Sequence, residues 1–331
     1  MKKRYILLSL LFLSLLLGGC NANFWPDFSS EDTRKQFEGQ RDRNQEKKKE
    51  KKTQQSDATM EIEKEEKKLQ ASKDALYVDF IDVGQADATL IRCDGHAMLI
   101  DAGDNSDGTK VQLYLKKQGV EQLDYVIGTH PDSDHVGGLD VIITKFDCGR
   151  IFAPEVTKDT VTWQEVLDAV DYRGYHLEMP ECGETFQLGT AVFEILSPEK
   201  EYSDSNDNSI IIRLEHGENT FLFAADAQES AMKSILKSGY DVSCDVYKVA
   251  HHGSSGSFLG EFYDAMNPEY AVISCGEGNS YGHPHAEVLN ELRSRKIKVF
   301  RTDEQGSIQV RSNGKELVWN TASSESWQSG R

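Results

Sequence analysis

From Leu76 onward the chain alternates short apolar runs with polar stretches. The runs are "LYVDFIDV", "ATLIRC", "AMLIDAG", "YVIGTH", "VFEIL", "SIIIRL", "TFLFAADA", "VYKVAHH", "YAVISCG", "KVFRTD" and "SIQVRS". Many are rich in β-branched side chains, which predicts strands covered on one or both faces. Between them Lys110–Gln118, Thr162–Arg173, Gln228–Ser238, Leu259–Met266 and His285–Arg295 read as helices. A β-rich beginning followed by mixed β and α predicts an α/β fold of two packed sheets with helices outside.

Before Leu76 the pattern differs. "MKKRYILLSLLFLSLLLGGC" places Lys2, Lys3 and Arg4 before an apolar run from Tyr5 to Leu17, then small residues and Cys20. This order reads as a bacterial secretory signal, too short and wrongly flanked for an ordinary spanning helix. Leu17-Gly18-Gly19-Cys20 resembles a lipobox, which makes Cys20 the lipidated first residue of the mature protein; a plain signal or uncleaved anchor with a stray cysteine is the alternative. Residues 21–75 hold thirteen basic and thirteen acidic residues with few apolar ones, a composition that cannot fold alone and reads as a charged flexible tether. The expected organisation is therefore a signal peptide at 1–20, a tether at 21–75, a folded domain at 76–320 and a disordered tail at 321–331. The expected location is extracytoplasmic, with the lipid anchoring the protein to the outer face of the bacterial cytoplasmic membrane. No protein partner is identifiable.

Residues 76–331 carry 21 Lys and Arg against 42 Asp and Glu. That balance argues against a broad phosphate-gripping surface but leaves room for a metal-lined cleft. Besides Cys20 the five cysteines are scattered without a CxxC pair, so buried apolar thiols are expected in preference to a thiolate metal site.

Candidate chemistry sits where strands end. Asp101 follows "AMLI", His130 follows "YVIGT", Asp226 follows "FLFAA" and His251 follows "VYKVA", and strand ends are where α/β enzymes assemble sites. "THPDSDHVGG" crowds His130, Asp132, Asp134 and His135 into one loop. If the backbone stays extended there, the two-residue period puts His130, Asp132 and Asp134 on one side, with His135 entering as the chain turns. Two neighbouring carboxylates repel unless a cation lies between them. Gly137 and Gly138 let the backbone pass close by and begin the next helix.

The segment His130-Pro131-Asp132-Ser133-Asp134-His135 resembles the HxHxDH signature of metallo-β-lactamase-fold hydrolases, with Asp132 in place of the second histidine. "YVDFIDVGQADATLIR", "MLIDAG", "NDNSIIIRL", "FLFAADA", "KVAHHGSSGS", "SYGHPH" and "FRTDEQGSI" follow the order found in the extracytoplasmic hydrolase domain of ComEC/Rec2-type DNA-uptake proteins. The resemblance covers Leu76 to about Arg311. It implies an αββα four-layer metallo-β-lactamase sandwich with two divalent metal ions, zinc or manganese, at one edge. It assigns His130 and Asp132 to one metal, Asp134 and His135 to the other, Asp226 as the bridge and the His251-His252 pair as source of a further ligand, leaving open which histidine binds. Asp101 corresponds to an aspartate that buttresses the loop. Where many relatives place a histidine before the bridging aspartate this chain reads "NDNS", so Asp207 or Asn208 contributes oxygen or nothing. An oxygen-rich site shifts the balance toward manganese.

The implied activity is hydrolysis by a metal-activated hydroxide, with phosphodiesters of DNA or a cell-envelope (cell-wall) phosphoester as substrate. Asp134, His252, His283 and Lys248 are the expected catalytic residues, His283 and Lys248 as groups that hold substrate or protonate a leaving group. Ser254, Ser255 and His285 are further candidates. The alternative of a different class is a non-catalytic substrate-binding lipoprotein that keeps the fold.

Overall fold

The structure, a computed structural model, describes residues 75–156 and 158–330. The signal peptide, Cys20 and all of the tether but Ala75 lie outside the described residues.

The apolar runs become strands. In chain order these are β1 (Leu76–Phe80), β2 (Thr89–Cys93), β3 (His96–Ile100), β4 (Gln122–Ile127), β5 (Asp147–Phe152), β6 (Leu177–Glu178), β7 (Thr185–Leu188) and β8 (Ala191–Ser197). They continue as β9 (Ile211–His216), β10 (Asn219–Phe223), β11 (Val246–Lys248), β12 (Tyr270–Ile273), β13 (Lys298–Arg301), β14 (Ile308–Ser312) and β15 (Leu317–Trp319). One sheet runs β15-β14-β1-β2-β3-β4-β5-β6 and the other β13-β12-β11-β10-β9-β8-β7.

Each sheet changes from antiparallel to parallel pairing partway across. In the first sheet pairing is antiparallel through β3 and parallel from β3 to β6. In the second it is antiparallel from β7 to β10 and parallel from β10 to β13. Parallel neighbours need a crossover, usually helical, and the helices fall there. Gly108–Lys117, Leu139–Lys145 and Val161–Arg173 serve the first sheet; Glu229–Ser238, Gly260–Met266 and Ala286–Ser294 serve the second. The five helices expected from the sequence match to within two residues at each end, and Leu139–Lys145 is the helix expected to begin at Gly137 and Gly138.

Burial divides into three layers, and strand alternation assigns residues to them. In β10, Phe221 and Phe223 enter the core between the sheets while Leu222 faces the helices outside. In β2, Ile91 points to the inter-sheet core and Leu90 to the other helical layer. Both faces are covered, which is why these runs read as continuously apolar. Helix, sheet, sheet and helix make the αββα sandwich.

The stretch 321–330, expected to be a disordered tail, lies against the second sheet. Ser324 bridges to Val299, and Trp327 packs on the outer core with the Arg293 guanidinium 5.7 Å over its ring. The buried Arg301 guanidinium donates to the Gln328 carbonyl at 2.6 Å. An aromatic side chain and a buried cation in need of acceptors hold this segment in place. Among the described residues no helix is long and apolar enough to cross a membrane, and the five described cysteines are free thiols, four of them buried.

Candidate metal centre

The exits of β3 and β4 in one sheet and of β10 and β11 in the other converge, carrying Asp101, His130, Asp226 and the His251-His252 pair. Asp101 (φ 58°), Ala225 (φ 45°), His251 (φ 52°) and His252 (φ 55°) all adopt left-handed backbone without being glycine. Such strain gathers where the fold holds side chains against local preference. Close approach is also built in. A Cβ on Gly137 would lie 2.3 Å from the Asn105 amide nitrogen, and one on Gly138 would lie 2.3 Å from the Ala102 carbonyl oxygen. The helical turn Ser133–Val136 can therefore press on the loop after β3, where the Ala102 N–H donates to the His135 carbonyl at 2.8 Å.

Asp134, His135, Asp226 and His252 each aim one ligand atom into a common space, all within 4.8 Å of one another. His135 Nε2 lies 3.2 Å from Asp226 Oδ1, and His252 Nε2 lies 3.4 Å from Asp134 Oδ2. His130 Nε2, His135 Nε2, Asp226 Oδ1 and His252 Nε2 are buried yet make no hydrogen bond. Orphaned buried polar atoms are rare, and this set of nitrogen and carboxylate donors fits a divalent cation.

The opposite nitrogen of each ring is pinned. His135 Nδ1–H donates to Asp101 Oδ2 at 2.8 Å, and Asp101 is itself held by the Thr129 N–H at 2.9 Å and hydroxyl at 2.8 Å. His252 Nδ1–H donates to the Ser274 carbonyl at 3.0 Å. His130 Nδ1 lies 3.2 Å from the Thr129 hydroxyl and 3.4 Å from that of Ser209. These bonds leave the Nε2 atoms facing the cleft.

Electrostatics distinguish the three imidazoles. Burial disfavours charge on His135, but Asp226 and Asp101 outweigh it and raise its pKa well above the usual value. Burial is likewise overcome at His252, where Asp226 and Asp87 push the pKa up to about 10. Burial, seconded by His135, lowers His130 to about 4. The carboxyl of Asp226 is held well below its ordinary range because His135 and His252 overcome its desolvation.

The remaining expected site residues are placed differently. Asp132 has extended backbone at the head of the turn Ser133–Val136, and the chain coils from the next residue, so the extended reading holds as far as Asp132 but not to Asp134. Asp132 Oδ1 accepts from the Lys158 ammonium at 2.5 Å and from the Ser205 hydroxyl, and lies 3.8 Å from His130 Nε2. His251 Nε2 lies 3.6 Å from Asp226 Oδ2, and its ring is partly exposed; of the pair, His252 joins the four-residue set.

Lys248 does not face the cleft. It is 3% exposed and its ammonium donates to Asp87 Oδ2 at 2.8 Å, which corrects the expectation that it handles substrate. A buried carboxylate requires a counter-charge, and with Lys248 and His252 beside it Asp87 stays well below the usual carboxylate range despite its burial. Neither Asp207 nor Asn208 of "NDNS" joins the cluster of candidate ligands. Asp207 Oδ1 accepts the N–H groups of Gln228 and Ala231 at the start of the helix Glu229–Ser238. Asn208 staples its own loop through Tyr202 and Asp204. Ser209 faces the site instead, accepting the Asp226 N–H at 3.3 Å. His283 lies beside the cleft, its ring centroid 6.2 Å from that of His252 and 5.7 Å from that of His251.

Sequence reasoning missed Asp87, Gln85, Ser209, Ser274 and Lys158. Asp87 and Gln85 stood in plain view in "VGQAD", but nothing local tells which of these polar residues turns inward.

The chain matches the metallo-beta-lactamase superfamily over residues 81–277. It is 32% identical over 253 residues to ComE operon protein 3 of Bacillus subtilis (strain 168), a match covering 71% of this chain and 33% of that protein. To Competence protein ComA of Neisseria gonorrhoeae it is 33% identical over 234 residues, covering 69% of this chain and 31% of the other. The chain thus spans about a third of the length of these curated relatives. Among solved structures it is similar to the metallo-beta-lactamase fold protein YhfI from Bacillus subtilis, with a TM-score of 0.48 and 12% identity, covering 72% of this chain and 100% of that one.

Proposed function

We propose that this chain, which belongs to the metallo-beta-lactamase superfamily, is an extracytoplasmic, metal-dependent hydrolase of phosphodiesters, anchored to the membrane through lipidated Cys20. The observation that carries the reading is the convergence of ligand atoms from Asp134, His135, Asp226 and His252, with buried, unbonded donor atoms on the last three. Asp134, His135, Asp226 and His252 would hold one divalent cation. His130 and Asp226 would hold a second, joined by Asp132 when it leaves Lys158. Zinc and manganese both suit the donors. When bound, such cations supply Lewis acidity toward a phosphoryl oxygen and make a water-derived nucleophile available near neutral pH.

The protein's own groups do the positioning. Asp101 and the Ser274 carbonyl fix two imidazoles, so they present their Nε2 atoms to the cleft without turning. A phosphodiester suits the cleft because its nonbridging oxygens can engage two cations at once, and the acidic surface leaves polyanion binding dependent on those cations. DNA is the substrate class favoured by the motif resemblance to DNA-uptake proteins, and one relative is named Competence protein ComA; a cell-envelope phosphoester is the other.

The test is turnover by the detergent-solubilised full chain on bis-p-nitrophenyl phosphate and single-stranded DNA, titrated with manganese, zinc, magnesium and cobalt. Wild type should cleave and Asp134→Ala should not, with circular dichroism showing both folded. No cleavage with any of the four metals would transfer preference to a substrate-binding lipoprotein. Cys20→Ala should release the protein from membranes or leave unprocessed precursor; unchanged fractionation and processing would remove the anchor from the proposal.

A further inference from the structure

His283 is gripped in a way that decides which of its ring nitrogens carries a proton. Gln85, in the loop after β1, accepts the Gly276 N–H at its side-chain Oε1, 3.1 Å away. Its Nε2 lies 3.2 Å from His283 Nδ1. A backbone N–H can only donate, so the amide oxygen must face Gly276 and the amide nitrogen must face the ring. That nitrogen can only donate as well, which makes His283 Nδ1 the acceptor and places the ring proton on Nε2. Turning the amide over would set its NH2 against the Gly276 N–H, so both ends of Gln85 vote for one arrangement.

The ring cannot easily move away. The His283 N–H donates to Asn279 Oδ1 at 3.0 Å, and Asn279 Nδ2 donates to the His283 carbonyl at 2.6 Å and to that of Gly276 at 2.9 Å. Tyr281 stacks on the ring at 5.6 Å and 24°, and His252 does so at 6.2 Å and 24°. Among the described residues His283 Nε2 makes no hydrogen bond.

We infer that Gln85 is a positioning residue that holds His283 as the neutral Nε2–H tautomer, and that this N–H donates a hydrogen bond to a phosphoryl oxygen of the substrate. The second half rests on the phosphodiester reading above. No proton is transferred in this role. Giving up the Nε2 proton would leave an imidazolate, so a neutral His283 stabilises developing charge and does not serve as the acid for a leaving group.

The experiment uses the zinc-loaded full chain with 15N-labelled histidine, whose long-range proton–nitrogen correlations separate the tautomers. His283 is assigned by the signals lost in His283→Gln. At pH 7 wild type should show a bare Nδ1 and a protonated Nε2. Gln85→Glu offers the ring only acceptor oxygens, so it should move a proton to Nδ1. A wild-type ring protonated on Nδ1, or a Gln85→Glu ring identical to wild type, would overturn the role of Gln85. Gln85→Met, which removes both bonds and keeps the volume, should give mixed tautomers and guards against a folding defect in the charged variant. Inorganic phosphate should shift the Nε2–H resonance downfield; no shift would overturn the donated bond, whether or not the protein turns over diesters. On a cleavable diester, Gln85→Glu should lose roughly a hundredfold in kcat with little change in KM. An undiminished kcat in that variant would also overturn the inference. Failure of wild type to cleave any diester would strike the functional reading while leaving the tautomer result to stand or fall by itself.

Discussion

On one side of Asp226 the ligand nitrogens are locked from behind, His135 by the Asp101 carboxylate and His252 by the Ser274 carbonyl. On the other side His130 leans on two hydroxyls, and Asp132 is drawn away to Lys158 and Ser205. A carboxylate behind an imidazole raises its basicity and fixes its plane, whereas a hydroxyl does so weakly. The two sides should therefore differ in affinity, with the His135 and His252 side the tighter.

Removing the residue common to both sides should have the largest effect. Asp226→Ala is expected to lower occupancy of both positions and reduce hydrolysis to background, read by metal analysis and kinetics on the same preparation. A full pair of ions retained in that variant would make the two sides independent of Asp226.

The next effect lies behind the tight side. Lys248→Met leaves Asp87 buried without its cation and should destabilise the fold by about 3–5 kcal/mol in chemical denaturation. Pairing it with Asp87→Leu should restore much of that loss. If the single and double variants unfold alike, the ion pair is not what supports the floor of the cleft.

Asp101→Ala and Ser209→Ala test the asymmetry directly. The first should weaken metal binding by roughly 10–100-fold, the second by far less, with competition against a chromogenic chelator as the readout. Equal effects would erase the distinction between the sides.

Acidity should separate them too. With pKa values raised above the usual range, His135 and His252 carry protons in the metal-free protein at neutral pH and must lose them to bind. Affinity on that side should fall as pH drops, by roughly tenfold per unit for each proton displaced. His130, lowered to about 4, is already neutral there, so its side should respond little between pH 6 and about 8. Calorimetry in buffers of different ionisation enthalpy counts the released protons, and zero release on the tight side would contradict the assignment.

The smallest change is expected from Lys158→Ala. It frees Asp132 from a half-exposed ion pair worth at most about 1 kcal/mol, so the weaker cation should bind no more than roughly fivefold tighter. A loss of affinity would instead mean that Lys158 helps hold Asp132 ready as a ligand.

Much of this was legible in the residues themselves. The apolar runs gave the strands because strands covered on both faces need continuous apolar sequence, and five helices followed from their spacing between those runs. β5 escaped notice because Gly149 and Arg150 interrupt its run, although Arg150 lays its guanidinium over the Phe152 and Phe186 rings and so fits a strand. Trp327 was the unread sign that the final residues pack.

What the sequence by itself determined is therefore local: strand, helix, and an acid or histidine at each strand exit, all following from residue types a few positions apart. What only the tertiary structure decided is pairing across the chain. Lys248 meets Asp87 across 161 positions and Gln85 meets His283 across 198, while Asp132 chooses Lys158 because a loop 26 residues on folds back over it. His252 and His251 are neighbours of identical chemistry, and the direction of each ring depends on which carbonyl or hydroxyl the packed sheets bring behind it. Hydrogen bonds and ion pairs act only over a few ångströms, so partners are settled by how the two sheets close on each other.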